Sequence, residues 1–304
     1  MKGLVLKSTG SWYDVQNDDG LVYRSRVRGK IRLDGIKETN PIAVGDFVEF
    51  DTEGREGIIH AILPRENFIA RQSVKKTGHS HIIAANVDQA LLVVTLALPR
   101  TSLGFIDRFL VAAESFRIPQ ILVFNKADLL TPEDQTEVQA LIALYQQVGV
   151  TCLLTNAKQP DQSALANLLA NKKTLVAGHS GVGKSTLLNS LAKRDLQATG
   201  QISDFSAKGT HTTTFAEMFL LKGNTYIIDT PGIKELGLVD MQPEEVSDYF
   251  PEMRALRSGC KFGARCLHLQ EPKCAILEAH DRGQIAPSRY QSYVSIVRGE
   301  DNRK

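Results

Sequence analysis

The sequence predicts a chain of three parts: a small N-terminal β-barrel, a central α/β domain with a parallel sheet, and a mainly helical C-terminal module. Short strand-like runs fill the first 66 residues, and apolar β-rich runs alternate with helical patterns from about residue 86. After about residue 240 the pattern becomes helical and polar and contains a cluster of cysteine and histidine. Strands that alternate with helices are typical of a buried parallel sheet. The predicted boundaries are 1–66, 67–240 and 241–304.

Five strand-like runs predict the N-terminal barrel. They are "GLVLKS", "WYDVQ", "LVYRSRVRG", "KIRL" and "DFVEF", separated by Gly, Asn-Asp-Asp-Gly and Pro turns. Five short strands in so small a segment fit an OB-type β-barrel. The polar stretch 64–81 contains Pro and Gly, and we expect it to be a linker.

The central domain contains a phosphate-binding motif. Gly178-His179-Ser180-Gly181-Val182-Gly183-Lys184-Ser185 matches G-x-x-x-x-G-K-[ST], follows the strand-like run "KTLVA" and precedes a helical pattern that includes Thr186. Glycines in such a loop let backbone N–H groups and the helix N-terminus face an anion. We therefore expect this segment to bind a nucleotide, with Lys184 at the β- and γ-phosphates and Ser185 at Mg²⁺.

Three further motifs, each at the end of a predicted strand, indicate a guanine nucleotide. Asp229-Thr230-Pro231-Gly232 offers a carboxylate for Mg²⁺ and an amide for the γ-phosphate. The side chains of Asn125-Lys126-Ala127-Asp128 suit guanine, because a carboxylate accepts from N1 and N2 together and adenine offers no such donor pair. In "TNAK" (155–158) the residues Asn156, Ala157 and Lys158 complete the base site, with the Ala157 N–H directed to guanine O6. Each motif is weak alone, but carboxyl ends of parallel strands meet at one ligand-binding edge.

The order of these motifs predicts a circular permutation. The guanine motif at 125 and the second base loop at 155 precede the phosphate loop at 178, the threonine-rich segment at 209–214 and the Asp229 motif. A site formed by neighbouring strand ends does not depend on chain order. Joined termini and a new opening elsewhere would produce the same site.

The C-terminal cluster predicts a structural zinc site. Cys260, Cys266, His268 and Cys274 provide three thiolates and one imidazole, the ligand set of a closed site with no position left for catalysis. Ordinary buried thiols beside a surface histidine are the alternative. Zinc in this position would stabilise a module whose core is too small to fold alone.

The whole chain resembles the RsgA (YjeQ/YloQ-type) family of small-ribosomal-subunit biogenesis GTPases. The resemblance rests on the permuted order, the barrel, and the segments "GHSGVGKSTLLNSL", "KGTHTTT", "DTPGIKELGL" and "CKFGARCLHLQEPKC". It implies GTP hydrolysis coupled to late maturation of the 30S subunit and binding to that particle and its 16S rRNA. We expect a monomer.

The threonine-rich segment offers candidates for binding Mg²⁺ and for orienting the attacking water, but the sequence does not decide among them. Thr213 is the preferred Mg²⁺ ligand, with Thr212 and Thr214 as alternatives. Ile233 stands where many GTPases carry a water-orienting glutamine, so we expect slow hydrolysis by the isolated chain. His211 is a candidate for orienting the water, although a simple loop histidine is the preferred interpretation. We expect the ribosomal particle to stimulate hydrolysis.

Two surfaces are candidates for RNA contact. Five basic residues alternate along an extended stretch and would share one face, namely Arg24, Arg26, Arg28, Lys30 and Arg32. A merely solvated strand face is the alternative. The C-terminal run "RYQSYVSIVRGEDNRK" either touches rRNA or packs Tyr290 and Tyr293 against the zinc module.

Composition narrows the function classes. With 23% charged and 42% hydrophobic residues and a net charge of +2, bulk charge does not indicate nucleic-acid binding. No apolar run of about 18 residues is present, and we expect a cytoplasmic protein without membrane contact. Alternatives to the ribosomal GTPase are a regulatory switch with another partner, a nucleic-acid-binding module with a vestigial nucleotide site, and a P-loop kinase.

Overall fold

The computed structural model describes residues 1–27, 41–72, 80–159, 161–199, 216–229, 238 and 241–300. Within these ranges the predicted three-part architecture is confirmed. A closed barrel is followed by a mostly parallel α/β sheet and then by a module of short helices.

The barrel contains five strands: β1 (Lys2–Ser8), β2 (Tyr13–Asn17), β3 (Val22–Val27), β4 (Phe47–Glu53) and β5 (Glu56–Ile62). They pair in the order β1-β2-β3-β5-β4, and β4 returns to β1, so the sheet closes on itself. Inward residues such as Val5, Val15 and Phe50 alternate with exposed ones and form the barrel core. The sequence prediction missed β5, and the run "KIRL" lies outside the described residues.

The expected linker is partly wrong, because it contains a β-hairpin. Strands β6 (Phe68–Gln72) and β7 (Ser80–Ala85) pair antiparallel. Ile69 and Ile82 are buried, at 1% and 4% exposure. Their short apolar runs are flanked by polar and glycine residues, which concealed the strand pattern.

Six strands form the central sheet: β8 (Gln89–Val94), β9 (Gln120–Phe124), β10 (Thr151–Leu154), β11 (Lys173–Ala177), β12 (Glu217–Leu220) and β13 (Tyr226–Asp229). Their order is β10-β9-β8-β11-β13-β12, and every neighbouring pair is parallel except β12 with β13. Strand β8 is buried at every position, as expected for a strand covered on both faces. Strand β12 also pairs with β1 and thus joins the central sheet to the barrel.

Four helices connect these strands: α1 (Leu103–Ser115), α2 (Pro132–Gln147), α3 (Ser163–Leu169) and α4 (Lys184–Thr199). The Ser102 side chain caps α1, and Thr131 forms a reciprocal capping box with Asp134 at the start of α2. Two hydrophobic cores lie on the two faces of the sheet. The motif-bearing loops consequently meet at the carboxyl ends of the parallel strands.

The described part of the C-terminal module contains the helices α5 (Pro251–Arg254), α6 (Ala275–Asp281) and α7 (Pro287–Val297). It also contains 3₁₀ helices at Pro243–Tyr249, Arg257–Gly259 and Gly263–Arg265. Its core includes Phe250, Met253 and Tyr293, and Val111 of α1 belongs to the same cluster. In the described parts of the chain, none of the helices has the length and apolar character needed to cross a bilayer.

Candidate functional site

The phosphate loop joins β11 to α4 and is shaped by three glycines. Gly178, Gly181 and Gly183 have φ values of 146°, 84° and 93°, a region that side chains with a Cβ rarely adopt. A Cβ at Gly183 would lie 2.5 Å from Nδ2 of Asn125, and one at Gly178 would overlap the Val93 carbonyl. The glycines therefore let the loop backbone pack closely against Asn125 and the end of β8 at the N-terminus of α4, the kind of position at which phosphates bind.

Lys184, the first residue of α4, is held inside this loop. Its Nζ donates to the carbonyl oxygens of Gly178 (2.7 Å) and His179 (3.1 Å). Burial lowers the pKa of Lys184, and the nearby Asp229 carboxylate opposes that shift. The Lys184 ammonium group thus lies within the phosphate loop and close to Asp229, the last residue of β13.

Asn125 connects the base loops to the phosphate loop. Its side chain is buried at 2% exposure, and its Nδ2 donates to the Val182 carbonyl oxygen at 2.9 Å. Its Oδ1 accepts from the Thr155 hydroxyl at 3.1 Å. One amide side chain therefore touches both of the other loops, which are 30 and 57 residues away in sequence.

The base loops are held against each other by further bonds. The Ala127 N–H donates to the Thr155 carbonyl at 3.0 Å, and Lys126 has a left-handed backbone (φ 63°) with its Nζ bonded to the Leu98 carbonyl. Lys158 Nζ donates to Asp128 Oδ2 at 2.9 Å. The hydrogen bond from Lys158 lowers the pKa of Asp128, which keeps this carboxylate ionised and able to accept from a base.

The structure also gathers the four predicted zinc ligands. The ligand atoms of Cys260, Cys266, His268 and Cys274 all lie within 4.8 Å of one another, and all four residues are buried. Nδ1 of His268 is 3.2 Å from Cys274 Sγ and 3.5 Å from Cys260 Sγ. These separations and this ligand chemistry fit a tetrahedral zinc ion bound through Nδ1.

Neighbouring side chains hold the cluster loop in place. Tyr290 and Tyr293 donate from their hydroxyls to the carbonyls of His268 (2.8 Å) and Leu267 (2.7 Å). The carboxylate of Glu271 accepts from three backbone N–H groups, those of Leu267, Leu269 and Gln270. Of the two predictions for the C-terminal run, packing of both tyrosines against this module is therefore the one observed.

Other predicted site residues are placed only in part. Ser185 and Thr186 are exposed at the start of α4, and Asp229 ends β13. His211, Thr213 and Gly232 lie outside the described residues, together with Thr212, Thr214 and Ile233.

On the barrel, Arg24 and Arg26 are exposed on β3, and the Arg24 guanidinium lies 4.6 Å from the Trp12 ring centroid. The other three basic residues of this stretch lie outside the described residues, namely Arg28, Lys30 and Arg32.

Sequence reasoning missed several residues that shape the site. The Thr155 hydroxyl bonds to Asn125, and Glu271 fixes the backbone between two zinc-ligand candidates. Phe105 of α1 packs its ring 4.0 Å from the His179 ring, although α1 carries no nucleotide motif. A signal existed only for Glu271, which is an acidic residue between His268 and Cys274.

Comparison with known proteins agrees with this geometry. A family model described as RsgA N-terminal domain matches residues 2–59, and one described as RsgA GTPase matches residues 62–239. The chain is 48% identical to the small ribosomal subunit biogenesis GTPase RsgA of Christiangramia forsetii, with 99% of this chain and 97% of that protein covered. It is 47% identical to RsgA 2 of Bacteroides thetaiotaomicron, with 100% and 98% covered.

Two solved structures share the whole fold. The crystal structure of YjeQ from Thermotoga maritima is 34% identical, covers 100% of this chain and 99% of its own, and gives a TM-score of 0.78. The crystal structure of YloQ, a circularly permuted GTPase, is 30% identical, with 100% and 96% covered and a TM-score of 0.74. The permuted α/β architecture is therefore confirmed. The chain belongs to the RsgA GTPase family and is a GTPase enzyme.

Proposed function

We propose that this GTPase acts in late maturation of the small ribosomal subunit, by binding the 30S particle and hydrolysing GTP to GDP and phosphate. The names of its full-length relatives support the ribosomal assignment. A role in maturing ribosomal subunits implies that the protein acts in the cytoplasm.

The observation that carries the nucleotide assignment is the pair of bonds made by Asn125. Its side chain bonds to Val182 in the phosphate loop and to Thr155 in the second base loop. Motifs that are scattered in the sequence are therefore in direct contact, which supports a single nucleotide site with the base beside Asp128 and the phosphates beside Lys184.

Each loop has a role in this proposal. Asp128 accepts from guanine N1 and N2, the Ala157 N–H donates to O6, and the stems of Lys126 and Lys158 lie along the base. Lys184 moves from the carbonyls of Gly178 and His179 to the β- and γ-phosphates when nucleotide binds, because an anion attracts its ammonium more strongly than neutral carbonyls do. Asn125 keeps these loops in register.

Two metal ions fit the donor sets. Mg²⁺ would be held by Ser185, Asp229 and Thr213, and it neutralises charge on the phosphates when bound. Zinc would be held by Cys260, Cys266, His268 and Cys274 in a purely structural role. The buried cluster offers no access to a substrate, which supports that role.

Hydrolysis by the isolated chain should be slow. Ile233 directly follows the Asp229 motif and cannot hydrogen-bond a water molecule. We propose that hydrolysis is stimulated on the 30S particle, with His211 or a ribosomal group orienting the attacking water. The exposed Arg24 and Arg26 on the barrel supply phosphate contacts to rRNA.

The test is GTP turnover titrated with purified 30S subunits. We expect turnover to rise with subunit concentration and to saturate, and 50S subunits serve as the control. Equal turnover with and without 30S subunits would contradict the ribosomal assignment. In the same assay, an unchanged stimulated rate in His211→Ala would exclude the histidine as the water-orienting group.

A further inference from the structure

A buried arginine fixes the C-terminal module to the central domain. The Arg289 side chain on α7 is only 2% exposed, and its NH1 donates to Asp107 Oδ1 on α1 at 2.7 Å. Its Nε donates to Glu252 of α5 at 2.8 Å. The residues Arg289 and Asp107 are 182 positions apart in sequence, so this ion pair joins two separate parts of the chain.

The surroundings of this ion pair hold it in one geometry. The Tyr145 hydroxyl on α2 donates to the same Asp107 oxygen at 3.0 Å, and the Arg289 guanidinium lies 4.5 Å from the Phe250 ring centroid. Among the described residues, the other Asp107 oxygen, Oδ2, is buried without a hydrogen-bond partner, so the buried charge depends on the guanidinium at Oδ1. Asp107 is therefore locked in position by groups from α2 and α7.

The same helix touches the phosphate loop on another side. Phe105 lies two residues before Asp107, which on a helix is a rotation of about 200°. Its ring packs 4.0 Å from the His179 ring, and the His179 carbonyl accepts from Lys184 at 3.1 Å. Helix α1 thus lies between the buried ion pair and the residue that positions the phosphate lysine.

We propose that Arg289 is a positioning residue for the phosphate loop and acts through α1. By fixing Asp107 it sets the placement of Phe105, and Phe105 sets the placement of His179 and thereby of Lys184. The proposal rests on the nucleotide site assigned above and extends it to a residue more than 100 positions downstream of the loop.

One consequence concerns binding partners. If docking of α7 on α1 supports the nucleotide-binding form of the loop, nucleotide binding must strengthen that docking by the same factor. A partner that binds the C-terminal module would therefore change the nucleotide affinity of the chain without contacting the nucleotide.

The test measures GDP affinity of the full-length, zinc-loaded chain with a fluorescent GDP analogue. The triple variant Arg289→Met, Asp107→Asn and Glu252→Gln removes the guanidinium and both carboxylates that it binds, so no buried carboxylate is left unpaired. We expect affinity to fall about fivefold or more, with zinc content and Trp12 fluorescence unchanged. Unchanged affinity in this folded variant would overturn the proposal.

Arg254→Met is the matched control. Arg254 also links the module to α1, through Glu114 at 2.7 Å, but this pair is partly exposed and lies near the far end of the helix. We expect GDP affinity to remain at the wild-type value. An equal loss in Arg254→Met would show that loose docking in general lowers affinity, and it would overturn the specific role of Arg289.

A double-mutant cycle separates positioning from structural support. Phe105→Leu breaks the ring contact with His179 and leaves the buried ion pair intact. After that change, loss of the Arg289 pair should have little additional effect on GDP affinity. Fully additive losses of GDP affinity would overturn the proposal that Arg289 acts through Phe105. A wild-type chain that binds no GDP would contradict the nucleotide site itself and remove both proposals together.

Discussion

The barrel and the C-terminal module are attached to the central domain by different kinds of contact. At the barrel junction β1 pairs with β12, Leu4 enters the main apolar core, and Tyr226 donates to Gln16 at 3.1 Å. The ion pair that links β1 to β12, Lys7 with Glu217, is 3.4 Å long and partly exposed, whereas Arg65 binds the buried Asp46 at 2.6 Å where the chain leaves the barrel. At the C-terminal junction a fully buried guanidinium binds two carboxylates.

This difference shows how a junction can tolerate or resist change. When a neutral contact is removed, the free energy of unfolding falls only by the contribution of the groups that are lost. A buried ion pair that loses one member leaves a charge in a nonpolar environment, and the cost exceeds the strength of the contact itself. We therefore expect the C-terminal junction to respond sharply to substitution of Arg289 and the β1–β12 contact of the barrel to respond weakly to substitution of Lys7.

The largest effect is expected from Arg289→Ala. It leaves Asp107 buried without its guanidinium and should lower the stability of the docked C-terminal module by about 3–5 kcal/mol. Urea denaturation followed by circular dichroism reports the helices, and fluorescence of Trp12, the single tryptophan, reports the barrel. The first transition should move and the second should not. A parallel shift of both would mean that the two junctions do not differ as described.

Removal of zinc should have the next largest effect. Chelation, or Cys274→Ser, should unfold the loop of the C-terminal cluster and expose α7, because the module core includes the cysteines themselves. Hydrogen exchange should rise in α6 and α7 and remain low in β1 and β12. Metal analysis should give one zinc per chain before chelation. Unchanged exchange after complete zinc loss would show that the metal does not stabilise this junction.

Acid should weaken the same junction through Glu114 on α1. Burial alone would raise the pKa of Glu114, but hydrogen bonds from Arg254 and Gln120 outweigh it and hold the pKa below 4.5. A lowered folded-state pKa gives stability that is complete above about pH 4.5 and is lost as pH falls through the folded value. The helical urea midpoint should thus fall less steeply with acid in Glu114→Gln than in the wild type. Identical slopes would rule out this contribution.

The smallest effect is expected from Lys7→Ala at the barrel junction. The pair with Glu217 is solvent-accessible, and such pairs contribute about 0–1 kcal/mol. The Trp12 transition in urea should therefore shift only slightly. A loss comparable to that of Arg289→Ala would contradict the comparison between the two junctions.

Sequence patterns predicted those features that local rules govern. The phosphate loop, the base motifs and the cysteine cluster are short motifs with characteristic chemistry. The rule that ends of parallel strands meet predicted that the base motifs lie beside the phosphate loop, and Asn125 indeed bonds to Val182 and Thr155. Strand β5 and the hairpin of β6 and β7 escaped, since short runs flanked by polar residues resemble turns.

Long-range pairing was not predictable. Nothing in the segments around Asp107 and Arg289 indicates that they meet, because a helix pattern specifies a buried face but not its partner. The same holds for Phe105 against His179. These contacts depend on how α1 packs between two layers, which only the folded chain defines.

The central claim is that scattered strand ends surround one guanine nucleotide, and the specificity of Asp128 tests it most directly. Affinities for GDP and xanthosine diphosphate should be measured for the wild type and Asp128→Asn. We expect the variant to lose about 10- to 100-fold in GDP affinity, the value of a charged hydrogen-bond pair, and to prefer the xanthine nucleotide. An unchanged preference for GDP in Asp128→Asn would contradict the account.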